Sequence, residues 1–121
     1  MSDTQSLGKR GEELAAGYLV SKGYRILHRN WISGRKEIDI VAENDEYVVF
    51  AEVKTRSRKM NLHPGELVTR EKQRLLLLAA DSYIMKYNIR KESRFDVIFI
   101  ISGDNSYEVD HREAAFYPTL R

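Results

Sequence analysis

Three ionisable residues interrupt stretches that a buried strand would keep apolar. Side chains alternate faces along an extended strand. In Glu46–Thr55 (EYVVFAEVKT), Val48, Phe50, Glu52 and Lys54 therefore point one way and Val49, Ala51 and Val53 the other. In Glu37–Ala42 (EIDIVA), the same period places Glu37, Asp39 and Val41 on one face and Ile38, Ile40 and Ala42 on the opposite one. Only Glu43-Asn44-Asp45 separates the two segments, which predicts a hairpin. Its pairing brings Asp39 beside Glu52, with Lys54 two positions on.

Two adjacent carboxylates repel and are costly to bury unless a cation neutralises them. An oxygen-only site suits Mg²⁺ or Mn²⁺, with the backbone carbonyl of Val53 as a further ligand beside Asp39 and Glu52. Such an ion acidifies a bound water and holds a phosphate oxygen. Lys54 would orient or deprotonate that water, or stabilise the charge developing on phosphorus. The plainer alternative is a solvated strand edge on which Glu52 and Lys54 form an ordinary surface ion pair.

Further residues extend the constellation. Glu12 shares a helix face with Ala15, Ala16 and Leu19, the side expected to pack on the sheet; its bland role is a first-turn carboxylate favoured by the helix dipole. Lys72 aligns with Leu76, Ala79 and Tyr83 and either leans towards the carboxylates or lays its stem over apolar surface. Gln73 borders that face, within reach of the water or phosphate. Asp96 reads as structural, pairing with an arginine or a backbone amide. His28, His63 and His111 show no ligand spacing, and no nucleophile elbow or glycine-rich phosphate loop occurs.

The elements that must position these residues follow from periodicity. Ser6–Lys22 reads as a helix closed by Gly23, and Tyr24–Trp31 as a short edge strand. After the turn Ser33-Gly34-Arg35 and the central hairpin comes a basic loop, Arg56–Gly65. Thr69–Tyr87 is a helix with Thr69 as N-cap. Arg94–Ser102 is a strand covered on both faces, and Tyr107–His111 a last short strand. The order α-β-β-β-α-β-β describes an α/β domain with a mixed sheet flanked by helices.

The chain of 121 residues is predicted to be a single domain. It lacks cysteine, which excludes disulfides, thiol nucleophiles and cysteine-ligated metals. Its longest apolar run, Leu75–Ala80, is too short to span a membrane, and the start has no apolar signal segment, so a cytoplasmic location is expected. The net charge is only +2, but two blocks concentrate the bases. Residues 22–36 hold five bases, including Arg29, Arg35 and Lys36, and no acid. Residues 54–74 hold seven, including Arg56, Arg58 and Lys59, against two acids. Such blocks suit a polyanion, nucleic acid foremost; solvated loops are the alternative.

The segments GKRGEELAAGYLVSKGYRILHRNW, KEIDIVAENDEYVVFAEVKTRSR, VTREKQRLLLLAADSYI, RFDVIFI and HREAAF together resemble the YraN-like family of small bacterial proteins. That family is similar to archaeal Holliday-junction resolvases and belongs with the PD-(D/E)XK nuclease superfamily. The resemblance runs from Leu7 to Phe116. It implies a restriction-endonuclease-like fold, with Asp39 and Glu52 as metal ligands and Lys54 as the catalytic lysine. Glu12 matches the acidic residue of the first helix, and Lys72 and Gln73 match the helix after the core hairpin. Lys36 stands where the family usually has Gly before Glu-Ile-Asp.

The expectation is a Mg²⁺- or Mn²⁺-dependent endonuclease acting on nucleic acid, DNA before RNA, selective for branched or junction-like structure. Arg29, Arg35, Lys36, Arg56, Arg58 and Lys59 would grip the backbone. The alternatives are a non-catalytic nucleic-acid-binding module on the same fold and a protein-interaction domain. Resolvases of the superfamily act as dimers, and Trp31 and Phe116-Tyr117 are candidates for a homodimer face.

Overall fold

A computed structural model describes residues 3–58 and 68–116, with side chains described from residue 8. Helix α1 (Asp3–Ser21) leads into strands β1 (Arg25–Ser33), β2 (Lys36–Glu43) and β3 (Tyr47–Ser57). Helix α2 (Arg70–Tyr87) precedes β4 (Glu92–Ser102) and β5 (Tyr107–Phe116). These strands form a sheet in the order β1-β2-β3-β4-β5, antiparallel except for the parallel pair β3–β4. Parallel neighbours require a crossover, and the segment containing α2 makes it. This is the restriction-endonuclease-like arrangement that the resemblance implies. No helix among the described residues is long and apolar enough to cross a membrane.

Local chemistry accounts for the helix ends. After α1 the Tyr24 amide donates to Leu19 and the Gly23 amide to Val20, with Gly23 at φ 94°, the left-handed turn that glycine enters without penalty. At the start of α2 the Thr69 hydroxyl accepts from the Lys72 amide, the predicted N-cap.

The strand alternation divides the core between two layers. Val49 and Ala51 join Ile98 and Ile100 under Ala15, Ala16 and Leu19 of α1. Val48 and Phe50 join Phe95 under Leu76, Ala79, Ala80 and Tyr83 of α2. Strand β4 is buried from Phe95 to Ile100, as its apolar run, broken only by Asp96, predicts.

One expectation about β2 fails. Ile40 and Ala42 pack on the α1 side, as expected, but Ile38 packs with Val41 on the α2 side. The alternation slips at Asp39, just where the β2–β3 register ends at Ile40 opposite Ala51. On β1, Arg29 pairs with Ile40 and Trp31 with Ile38, so Asn30 lies opposite Asp39; it adopts φ 51°, a left-handed conformation that asparagine tolerates. The turn beyond is ordinary: Ser33 pairs with Lys36 around Gly34-Arg35, and Gly34 supplies the positive φ of 63°. Lys36 therefore needs no glycine-like backbone.

Strand β5 outruns its prediction, continuing from His111 to Phe116. Its second half follows a register shift on β4 between Phe95 and Val97, where the Ala114 amide donates to the Asp96 carboxylate at 3.0 Å.

Candidate active site

Asp39 and Glu52 lie at the end of the β2–β3 hairpin where the ladder stops. There the Asp39 carboxylate replaces a backbone partner: its Oδ2 accepts the Val53 amide proton at 2.8 Å. Burial pushes the Asp39 carboxyl up to about 6; the Val53 hydrogen bond opposes this, while the charges of Glu12, Glu52 and Glu37 add to it. Glu52 is 5% exposed. Its Oε1 meets Lys72 Nζ at 2.5 Å, and its buried Oε2 has no hydrogen-bond partner among the described residues.

These groups line a cleft of about 200 Å³, with Arg35, Lys36 and Glu37 from the β1–β2 turn and the start of β2, and Leu75 and Leu76 from α2. The start of α2 thus closes over the carboxylates from the sheet face on which Glu52 stands. Lys72 leans across, the more functional of its two expected roles. Hydrogen bonding to Glu52 raises the Lys72 ammonium above its ordinary value, against partial desolvation.

Other predicted residues fall differently. Glu12 lies close enough for its charge to act on Asp39 but is not among the residues that line the cleft. Lys54 follows Glu52 on β3 by alternation, has no ion pair among the described residues, and also lies outside the cleft lining. Gln73 is drawn away from the site, since its Nε2 donates to the Val68 carbonyl at 3.0 Å and so satisfies the backbone preceding α2.

Among the described residues, the bases of the two blocks make different contacts. Arg35 and Lys36 line the cleft, and Arg29 is exposed on the edge strand. Arg56 turns back to donate to the Thr55 carbonyl at 2.9 Å, and Arg58 pairs with Glu108 of β5 at 2.6 Å. Lys59 lies outside the described residues, as do His63 and Tyr117.

The donor set fits a hard divalent ion. No three His, Asp or Glu side chains among the described residues converge as a ready cage. Mg²⁺ does not require one, because it commonly takes one or two carboxylates and keeps several waters. A buried carboxylate oxygen without a partner beside a second carboxylate is the arrangement such an ion would satisfy. The Val53 amide faces Asp39, and the carbonyl of an extended residue lies on the same strand edge as its amide, so the proposed carbonyl ligand faces the site.

Sequence reasoning passed over two features. Glu37 lines the cleft and raises the carboxyl of Asp39, and its period-two spacing from Asp39 was the available signal. The second is His111, a member of the buried network around Asp96, which is 1% exposed. Asp96 accepts from Arg94 Nε at 2.9 Å and Nη2 at 2.8 Å and lies 2.7 Å from His111 Nε2. Burial pushes the Asp96 carboxyl up, but the hydrogen bonds from His111, Arg94 and the Ala114 amide outweigh it and hold the group below its ordinary value. The structural role expected of Asp96 is thus borne out. His111 enters from β5, a partner that no local spacing announces.

Comparisons with known proteins place this chain in a family. The model described as "Uncharacterised protein family UPF0102" matches residues 11–100, which include Glu12, Asp39, Glu52, Lys54, Lys72 and Asp96. The UPF0102 protein of Phocaeicola vulgatus is 41% identical over 120 residues, covering 99% of both chains. That of Bacteroides thetaiotaomicron is 42% identical with the same coverage, and that of Chlorobium limicola 44% identical over 95% of both chains. The chain belongs to the UPF0102 family, the YraN-like family it resembles in sequence.

Proposed function

We propose that this chain is a Mg²⁺- or Mn²⁺-dependent endonuclease that hydrolyses phosphodiester bonds of nucleic acid, with branched or junction-like DNA as its substrate class. The observation that carries the reading is the buried Oε2 of Glu52, without a partner among the described residues, in a cleft shared with Asp39 and two lysines, Lys36 and Lys72. Asp39, Glu52 and the Val53 carbonyl hold the ion, which when bound supplies an acidified water and polarises a phosphate oxygen. The Val53 amide fixes the Asp39 carboxylate against β3. Lys54 and Lys72 provide positive charge for the phosphate as its negative charge grows. Arg35 and Lys36 contact the flanking backbone without reading sequence, which suits a substrate recognised by shape.

Symmetric cutting of a junction takes two active sites, so that substrate implies a pair of chains acting together. A cytoplasmic location accords with this role.

The test is cleavage of labelled junction, flap, single-stranded and duplex DNA with Mg²⁺ or Mn²⁺, comparing wild type with Glu52→Ala and Lys54→Ala. Metal-dependent cutting lost in both variants is the expected result. Binding without cutting, equal in all three proteins, would replace this reading with the non-catalytic module. No binding or cutting on any substrate, RNA included, would remove nucleic acid altogether.

A further inference from the structure

Lys72 is an unusual cation for its place. It lies in the first turn of α2, where the helix dipole disfavours positive charge, and its amide is held by the Thr69 cap. Its side chain is 54% exposed, yet Nζ turns inward to within 2.5 Å of Oε1 on a carboxylate whose side chain is only 6% exposed. Only that oxygen is engaged; Oε2 is left without a partner among the described residues. The ammonium thus neutralises the buried charge without completing its coordination.

We propose that Lys72 is a counter-ion that competes with the divalent metal for Glu52, so that metal binding and the Lys72–Glu52 contact are antagonistic. This inference rests on the metal site of the proposed function and goes beyond it. Two positive centres on one carboxylate repel, and a divalent ion carries twice the charge of the ammonium. A lysine has the flexible stem needed to withdraw, and this one is half exposed. Withdrawal leaves its charge at the cleft shared with Arg35 and Lys36, where a phosphate is the natural next partner. Lys72 therefore occupies the buried carboxylate when no metal is bound, and its turn towards phosphate would follow its displacement from Glu52.

The test measures Mn²⁺ affinity of the full chain by titration calorimetry for wild type, Lys72→Met, Lys72→Gln and Glu52→Ala. Removing the competitor should tighten Mn²⁺ binding about 5-fold or more in both lysine variants, the usual lower range for coupling between two ligands of one site. In wild type, acylation of the Lys72 amine, read by mass spectrometry, should accelerate when Mn²⁺ is added. Unchanged or weaker binding in the lysine variants, or Lys72 reactivity indifferent to Mn²⁺, overturns the inference. Wild-type binding abolished by Glu52→Ala would then leave the metal site standing and confine the failure to Lys72. If wild type binds no Mn²⁺, the metal site and the competition fall together.

Discussion

The Val53 amide donates to Asp39 across the point where β2 leaves β3, so one hydrogen bond both ends a ladder and aims a carboxylate. The strand slips by one residue there, as the opposite packing of Ile38 and Ile40 records. A carboxyl held in that position is costly to ionise, because burial and three neighbouring acids oppose the charge more strongly than one amide supports it.

Asp39 should therefore stabilise function at the expense of the fold. Its folded pKa of about 6 lies above the ordinary 3.8, so the folded state binds the proton more tightly. Stability from this group is greatest below about pH 4, falls as pH rises towards 6, and stays reduced above that. Asp39→Asn should raise the stability of the metal-free protein at pH 8 by about 1–3 kcal/mol and abolish metal-dependent activity. Urea unfolding at pH 8 and pH 4 checks it; the gain should vanish at the lower pH. A variant less stable than wild type at pH 8 would contradict the burial argument.

Asp96 should behave in the opposite sense. Its folded pKa is lowered, so its contribution is present above the unfolded value near 3.8 and is lost as pH falls through the folded one. Removing this acceptor leaves Arg94 and His111, whose side chains are 11% and 7% exposed, facing no carboxylate from β4. Asp96→Ala should cost about 3–5 kcal/mol, the range for breaking a buried charge pair from one side. Thermal or urea unfolding at pH 7 measures this. A loss below 1 kcal/mol would mean that Glu113, Tyr24 and Tyr18 hold the network without it.

Gly11 sets how closely α1 approaches the site. A Cβ there would run into the Thr55 hydroxyl, one residue beyond Lys54 on β3. Gly11→Ala should destabilise by about 1–3 kcal/mol, as overpacking of a close contact does. The hydroxyl is the nearest obstacle, while the Thr55 Cβ stands at a tolerable 3.4 Å. Thr55→Ala should thus recover most of the loss in the double variant, giving a favourable coupling energy in a double-mutant cycle. Simple additivity would show that α1 had already moved.

That Asp39 and Glu52 share one cleft was legible in the chain, because two short-period strands with three residues between them allow few registers. Thr69 and Gly23 were legible for the same local reason, as caps act within one turn. The contact of Lys72 with Glu52 was only half legible. Periodicity places Lys72 on the inner face, but whether its ammonium reaches the carboxylate depends on how the crossover lays α2 on the sheet. The slip at Asp39 was not legible, since it goes with a left-handed Asn30 on the neighbouring strand and a side chain replacing a ladder bond. Nor was the pairing of Arg58 with Glu108, fifty residues apart and joined only by the β3–β4–β5 neighbourhood.

That last pair separates two kinds of basic residue that composition treats alike. Arg35 and Lys36 have no ion pair among the described residues and line the cleft, so a nucleic-acid backbone would be their first strong partner. Arg58 already has Glu108 and must give it up, or share it, to bind phosphate. Each phosphate contact made by a free base releases counter-ions and steepens the fall of affinity with salt by about 0.9 in a log–log plot. The double variant Arg35→Ala, Lys36→Ala should therefore flatten that slope by about 1–2, whereas Arg58→Ala should change it by less than about 0.5. Fluorescence anisotropy on a labelled junction, from low to moderate salt without divalent ions, gives both slopes. Equal flattening in the two variants would show that Glu108 releases Arg58 at no cost, extending the backbone grip from the cleft to the far edge of the sheet.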